Sequence, residues 1–305
     1  MDMREWALVA FTILAQMAVG SFLVLGVVHF LAQRKAGEAE ADRLSDRALL
    51  AIGPVLVLGM IASLLHLGTP FSAYRAVTNV GTSWLSREIL FGVLFAAAGF
   101  LFAIMQWRKL GTPGLRTAIA AVAAIIGVAL VYSMARVYMI DTQPSWNTNA
   151  TPLSFFTTTL LLGALAMGAA FSVNYTFLKT RRGPKLSVQS ELLRDALRWI
   201  ALASIVLLGI QLLIISADLV DRSAGDAAAS VTKLSEEYGT LFVLRMALVF
   251  IGAGIFAFFL YKNAASAGKE EILATLVYGA FVLVLIGEVV GRSRSKLFHY
   301  TTLFQ

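Results

Sequence analysis

Long uninterrupted runs of apolar residues alternate along the chain with short segments that hold most of the charges, glycines and prolines. Eight runs reach about 20 residues, the length that an α-helix needs to cross the apolar core of a bilayer. They lie near residues 7–31, 48–66, 88–107, 117–139, 155–178, 199–217, 241–261 and 272–291. We predict helices because the strands of a membrane β-barrel alternate apolar and polar positions. The pattern therefore predicts an all-α polytopic membrane protein, a single domain over residues 1–305 made of eight transmembrane helices.

Composition and charge agree with a membrane protein. Hydrophobic residues make up 58% of the 305 residues and charged residues 14%, with a mean hydropathy of +0.78. An ordinary soluble domain is about 45–50% apolar, so these few charges could not cover a soluble surface. The pI of about 9.8 would suit a nucleic-acid partner, but the basic residues lie between apolar runs and indicate membrane topology instead. The first run lacks a basic leader and a cleavage site, so we expect a retained helix.

The distribution of Lys and Arg predicts the orientation of the protein. The segments after the odd-numbered helices hold 15 of the 25 basic residues, and the segment between helices 5 and 6 is the richest, with six between residues 179 and 198. Because cytoplasmic connections carry the excess of positive charge, we predict that both termini lie outside the cytoplasm.

Ionisable and strongly polar residues gather toward the outer ends of the predicted helices, where the cost of burial usually implies a function. The cluster comprises His66, Arg87, Glu88, Arg136, Gln211, Asp218, Arg245, Glu288 and Arg292. The arginines could instead extend to lipid head groups, and Glu88 or Glu288 could form structural pairs with Arg136, Arg245 or Arg292. The number of such residues predicts one polar pocket that opens outward.

The histidines and the absence of cysteine predict that this polypeptide holds no metal. A haem between helices needs two histidines facing each other at one depth, whereas His29, His66 and His299 lie at different levels of the predicted topology. With no Cys there is also no thiolate ligand for an iron–sulfur cluster. We therefore expect neither haem nor cluster in this polypeptide.

Several segments resemble the dimethyl sulfoxide reductase membrane anchor family, in the same order and at similar spacing. The most specific is Leu65-His66-Leu67-Gly68-Thr69-Pro70, followed by Gly287-Glu288-Val289-Val290-Gly291-Arg292. The other matching segments are Glu5-Trp6 to Gln16, Ser83 to Ile89, Arg136-Val137-Tyr138, Asp141 to Trp146, Thr151-Pro152 and Tyr238-Gly239 with Arg245. After Arg292 the sequence departs from the family's pattern, so the tail carries no inference.

The resemblance implies a function that composition does not show. Members are eight-helix anchors in the bacterial or archaeal inner membrane that oxidise menaquinol. They bind an iron–sulfur subunit with [4Fe–4S] clusters, which leads to a molybdopterin catalytic subunit. The family's quinol-site acid matches Glu88, and the histidine of its His-Leu-Gly-x-Pro motif matches His66.

The chemistry of quinol oxidation assigns a role to each candidate residue. A carboxylate taken out of water is suited to accept a proton, which fits Glu88 as the catalytic base, and a neutral imidazole can accept from the other hydroxyl, which fits His66. We predict that both residues share one cavity. Arg87, Arg136, Tyr138, Glu288 and Arg292 complete the predicted binding residues, with Arg136 or Arg292 tuning the acid. Trp84, Tyr138 and Trp146 are either walls of the site or an interfacial aromatic belt.

Three alternatives remain open from the sequence. A secondary transporter would also place charges in the membrane, although its site normally lies near the midplane. A passive anchor would dock the partners without binding quinone. The same anchor could serve a complex for an N-oxide or another oxyanion, or run in reverse in sulfite oxidation. We expect the iron–sulfur subunit to dock on the outer face, against residues 68–86 and 140–155, and residues 179–198 to stay free of it.

Overall fold

The helices of this protein follow one another with short connections. The computed structural model describes residues 3–66, 78–140, 147–182, 186–223 and 228–303. Its helices are α1 (Met3–Ala36), α2 (Glu38–His66), α3 (Trp84–Arg108), α4 (Pro113–Tyr138), α5 (Ala150–Arg182), α6 (Ser187–Ser223), α7 (Ala228–Val249), α8 (Ala257–Ala264) and α9 (Glu270–Leu303). A π-helical segment, Phe250–Phe256, joins α7 to α8. The described ranges contain no β-strand, as the continuous apolar runs predict.

Eight of the described helical segments are long and apolar enough to cross a membrane. They span 23 to 32 residues, with mean hydropathies between 1.7 and 2.5. Helices α1 to α6 supply the first six, α7 with the π-helical segment and α8 forms the seventh, and α9 is the eighth. The predicted bundle of eight transmembrane helices is therefore confirmed.

The charged segments between helices 1 and 2 and between helices 5 and 6 are mostly helical, although the sequence predicted that the helices end before them. Only Gly37, whose φ is +85°, separates α1 from α2, so residues 38–47 are the first turns of α2. Glu38 and Glu40 lie in that first turn, where negative charge interacts favourably with the helix dipole. Similarly, most of the basic segment 179–198 belongs to the end of α5 and the start of α6. Ion pairs connect these helix ends to neighbouring helices, as shown by Lys35 of α1, whose ammonium contacts Glu191 and Asp195 of α6 at 2.6 and 2.5 Å.

Helices α1 and α5 form the centre of the bundle. About 70% of their most apolar windows is buried, against 11% for α3. The two helices cross at Gly20 and Gly163 with their backbones in direct contact. A Cβ at Gly20 would lie 1.8 Å from the Thr159 carbonyl oxygen, and one at Gly163 would lie 2.1 Å from the Gly20 carbonyl carbon. Only glycine allows this approach, so the crossing fixes the relative position of α1 and α5.

Polar contacts between helices collect at the two ends of the bundle. We name the end that holds the start of α1 and the end of α9 the terminal face, and the other the opposite face. At the opposite face Asn174 donates to the carbonyl oxygens of Arg43 and Leu44 at 2.8 and 3.0 Å, and Lys179 pairs with Glu271. The terminal face holds the predicted cluster of ionisable residues. The bundle therefore separates two polar layers by an apolar middle.

Candidate functional site

Glu88 lies one turn into α3 and faces the interior of the bundle. The buried residues of α3 are Ser86, Glu88, Phe95 and Gln106, while most of the rest of the helix is open to lipid. Seven residues advance a helix by almost two full turns, so Glu88 and Phe95 share a face, and Gln106 returns to it. The side chain of Glu88 is only 5% exposed. Its carboxylate is therefore held inside the protein and not at the lipid surface.

Within the described part of the protein, the carboxylate of Glu88 has no hydrogen-bond partner and no ion-pair partner. The hydroxyl of Tyr138, at the end of α4, lies close enough for electrostatic interaction with Glu88. Burying a carboxylate without a partner costs considerable free energy, and such groups in membranes are usually functional. The environment of Glu88 thus marks it as a candidate reactive group.

Tyr138 connects Glu88 with the central helix α1 and with α9. Its hydroxyl lies beside the side chain of Thr12 and within electrostatic range of Arg292. The ring of Tyr138 packs against Phe155, with 5.3 Å between centroids. Arg292 in turn lies over the Phe155 ring at 4.9 Å and donates from Nη2 to Gln16 Oε1. Residues from α1, α4, α5 and α9 therefore meet around Tyr138, which in turn faces Glu88.

Glu288 occupies a different environment from Glu88, because its carboxylate is fully partnered. It is 2% exposed and accepts hydrogen bonds from Thr158 Oγ1 at 3.1 Å and Gln211 Nε2 at 3.3 Å. The Nη2 of Arg245 lies 3.4 Å from Glu288 Oε1. The structural pair with Arg245, one of the alternatives that the sequence left open, is the arrangement found.

Arg87 and Arg136 both lie on Trp84 at the start of α3. Their guanidinium carbons are 4.2 and 5.0 Å from the centre of its ring. Arg87 also donates to the carbonyl oxygens of Val80 and Gly81, each at 2.8 Å. Arg87 therefore holds the connection before α3 in place, and neither arginine forms an ion pair with Glu88.

The structure brings most of the predicted residues to the terminal face, in two groups. Tyr138 lies within electrostatic range of both Glu88 and Arg292, while Arg87 and Arg136 surround Trp84. Backbone placement puts His66 at the end of α2, but its side chain lies outside the described residues. Trp146 and most of the expected docking segments also lie outside the described residues. The cavity predicted to be shared by His66 and Glu88 therefore stays a prediction.

The network also includes uncharged residues whose roles the search for ionisable groups did not identify. Thr12 and Gln16 on α1 and Thr158 on α5 are all at most 1% exposed. Gln16 Nε2 and Gln211 Oε1 are buried without a hydrogen-bond partner among the described residues. Spacing offered one signal, because Thr12 and Gln16 are four residues apart and share a face of an otherwise apolar helix. Buried polar atoms without partners are sites for a bound ligand or water.

Comparison with known proteins extends over nearly the whole sequence. The model of the DMSO reductase anchor subunit family matches residues 1–304. The chain belongs to this family. It is 32% identical over 295 residues to anaerobic dimethyl sulfoxide reductase chain YnfH of Escherichia coli, covering 95% of this protein and 93% of the relative. It is also 31% identical to another anaerobic dimethyl sulfoxide reductase polypeptide of E. coli, over 98% of this protein and 96% of the relative.

A more distant relative of the DMSO reductase anchors serves a different enzyme. This relative, from the sulfite dehydrogenase of Allochromatium vinosum, is 27% identical over 172 residues, half of each protein. Family membership identifies the present protein as a multi-pass membrane anchor subunit of an oxidoreductase complex. Among the residues that the structure describes, no group of three or more His, Asp or Glu side chains could hold a metal ion.

Proposed function

We propose that this protein is the quinol-oxidising subunit of a dimethyl sulfoxide reductase-type molybdoenzyme. It would pass electrons from menaquinol to an iron–sulfur partner subunit with [4Fe–4S] clusters, which supplies a molybdopterin catalytic subunit. The observation that carries the proposal is the buried carboxylate of Glu88 on the terminal face, which pairs with none of the residues that the structure describes. An anchor that only docked its partners would have no use for this costly group.

Oxidation of a quinol releases two protons and two electrons, so its site needs a proton acceptor. Glu88 would accept one hydroxyl proton, because no described residue already occupies its carboxylate. His66 would accept from the second hydroxyl. Tyr138 lies within electrostatic range of the carboxylate, and Arg292 lies within range of Tyr138. Both would bind the ring oxygens or stabilise charge that develops on the quinol. Glu288 would hold Arg245, and with it the neighbouring Arg292, in place and take no proton itself.

The position of Glu88 also bears on where the partner docks. Electron transfer through protein falls steeply with distance, so the quinol site and the nearest cluster belong at the same face. We therefore propose that the iron–sulfur subunit docks on the terminal face, against segments 68–86 and 140–155. The proposed orientation places this face outside the cytoplasm, in the inner membrane, with both termini on that side.

Replacing Glu88 tests the proposal. In the purified complex, Glu88→Gln should lower quinol-dependent reduction of dimethyl sulfoxide by about 100-fold or more, the usual contribution of a general base. Turnover with a reduced dye that donates directly to the partner subunits should be unchanged. Glu271→Gln is the matched control, because its side chain is 90% exposed at the opposite face. Unchanged quinol turnover in Glu88→Gln would refute the role of Glu88, and loss of both activities would indicate failed assembly.

A second candidate function is the reverse reaction, in which the complex oxidises sulfite and reduces a quinone. The relative from a sulfite dehydrogenase supports it, since the match extends over half of this protein. Assaying the purified complex with sulfite and a quinone, beside a quinol and dimethyl sulfoxide, distinguishes the directions. A transporter is not supported, because the intramembrane ionisable residues that the structure describes lie at the ends of the bundle and not at its midplane.

A further inference from the structure

A cavity of about 150 Å³ lies at the opposite face, between the α1–α2 pair and the α3–α4 pair. Its inner wall is apolar and includes Phe22, Leu25, Leu49 and Phe102. Its outer part is polar and includes His29, Glu38, Asp42, Ser45, Asp46 and Arg116. The cavity is therefore amphipathic, with its polar end toward the membrane surface.

The polar end of the cavity carries more negative than positive charge. Glu38 pairs with Arg116 at 2.9 Å, and Lys109, just outside the cavity, lies 2.8 and 2.9 Å from Asp42 and Asp46. With Lys109 counted, three carboxylates face two cations, and Gln106 Nε2 also donates to Asp42 Oδ1 and Asp46 Oδ1 at 2.7 and 3.0 Å. Arg116 is 7% exposed, and its Nε is buried without a hydrogen-bond partner in the described residues. The polar end thus keeps one net negative charge for a cation, and one buried donor without a described partner for an anion.

We propose that this cavity binds the head group of a zwitterionic aminophospholipid, such as phosphatidylethanolamine, from the membrane leaflet at the opposite face. The primary ammonium would donate to Asp42 and Asp46, and a phosphate oxygen would accept from Arg116 Nε. The two carbons of the ethanolamine would contact the apolar wall, and the glycerol and acyl tails would stay in the leaflet outside the cavity. A choline head group lacks N–H donors and an anionic glycerol head group lacks the cation, so both should bind less well.

The size of the cavity argues against a second quinone. A volume of about 150 Å³ accommodates a single aromatic ring or about five water molecules, which is less than a fused two-ring quinone with its tail requires. It is sufficient for a two-carbon ammonium and part of its phosphate.

The cavity is also separate from the candidate quinol site. Glu88 and Gln106, another lining residue, are 18 residues apart on α3, or about 27 Å along the helix. Between them Phe22 packs edge-to-face on Phe95 and Phe102, with 5.7 and 5.6 Å between ring centroids. Failure of the lipid site would therefore leave the proposed function of Glu88 untouched.

Gly26 allows the cavity to be filled without disturbing its walls. It lines the cavity, and a Cβ built there has no neighbour within 4 Å. Gly26→Leu should therefore occupy the lipid site and, because leucine favours helix more than glycine, preserve α1. Gly53→Leu is the matched control, since Gly53 is also helical and unobstructed but does not line the cavity. Ala120→Leu fills the cavity from α4 as a second variant.

The test is to delipidate the complex, offer mixed micelles with equal phosphatidylethanolamine, phosphatidylcholine and phosphatidylglycerol, and quantify the lipid retained by native mass spectrometry. The wild type and Gly53→Leu should retain phosphatidylethanolamine about tenfold more than Gly26→Leu and Ala120→Leu, as expected for one lost charge-assisted interaction. Quinol turnover of Gly26→Leu should be unchanged. Equal retention in all four proteins, a preference for phosphatidylglycerol or phosphatidylcholine, or loss of bound quinone in Gly26→Leu would each overturn the proposal.

Discussion

The buried pair of Arg245 and Glu288 allows a quantitative test of what holds the terminal face together. Removing one partner leaves the other charge buried and unpaired, which costs about 3–5 kcal/mol in comparable cases. Glu288→Ala should therefore destabilise the protein by about that amount. Glu288→Gln keeps the shape of the side chain and its contacts with Thr158 and Gln211, so it should cost less, roughly 1.5–3 kcal/mol. Arg245→Met should be as harmful as Glu288→Ala, because it leaves a carboxylate that is 2% exposed.

A double-mutant cycle isolates the interaction between the two side chains. Combining Arg245→Met with Glu288→Gln should give a coupling free energy of roughly 1.5–3 kcal/mol. The pair Lys179 and Glu271 is the matched control, since its atoms are 3.2 Å apart, against 3.4 Å for the buried pair, but its side chains are 52% and 90% exposed. Its coupling should stay below about 0.5 kcal/mol.

Unfolding can be followed by tryptophan fluorescence while sodium dodecyl sulfate is titrated into mixed micelles, because the sequence contains five tryptophans. The difference in midpoint between variants, multiplied by the slope of the transition, gives each free-energy change. A coupling for Arg245 and Glu288 no larger than that of the exposed pair would refute the argument that burial makes this contact strong.

The helix crossing and the topology can be tested separately. Gly163→Ala should destabilise the protein by about 1–3 kcal/mol, because its Cβ would overlap the backbone of Gly20. Gly209→Ala is the control and should not destabilise it, because a Cβ there has no neighbour within 4 Å. The thermal midpoints of the two variants test this difference. Because the sequence lacks cysteine, Thr82→Cys and Ser266→Cys introduce single thiols on the terminal and opposite faces. In intact cells that produce this protein without its partner subunits, a membrane-impermeant maleimide should label only Thr82→Cys, and co-production of the partner subunits should protect that thiol. Labelling of Ser266→Cys instead would reverse the proposed orientation.

The spans could be predicted from sequence because each needs only a sufficient run of apolar residues. The helical extensions of α2 and α6 beyond the apolar runs could not, because their residues Asp42, Asp46 and Glu191 are charged and pair with lysines distant in sequence. Such pairs depend on which helices become neighbours. The local pattern of apolar residues therefore predicts the membrane-spanning segments well. It does not predict how far each helix continues beyond the membrane into water.

The residues of the candidate site also fall into two groups, those that the sequence identifies and those that only contacts between helices identify. Ionisable residues stand out in apolar helices, so Glu88, Arg136, Glu288 and Arg292 could be selected from sequence. The difference between the two carboxylates could not, since it depends on Thr158, Gln211 and Arg245, which lie on three other helices. Buried threonines and glutamines are also common in membrane helices, so Thr12 and Gln16 carried little signal until Tyr138 and Arg292 were seen beside them.

The crossing of α1 and α5 explains how the network holds its shape at a membrane surface. Thr12, Gln16 and Gly20 follow one another at four-residue intervals, so they lie on successive turns of one helix face. Gly20 fixes that face against α5 at Thr159, beside Thr158, which contacts Glu288. The contact at Gly20 thereby sets the distance from Thr12 and Gln16 on α1 to Thr158 on α5. With those groups held rigidly, Glu88 is, among the buried carboxylates that the structure describes on this face, the one left available for a ligand.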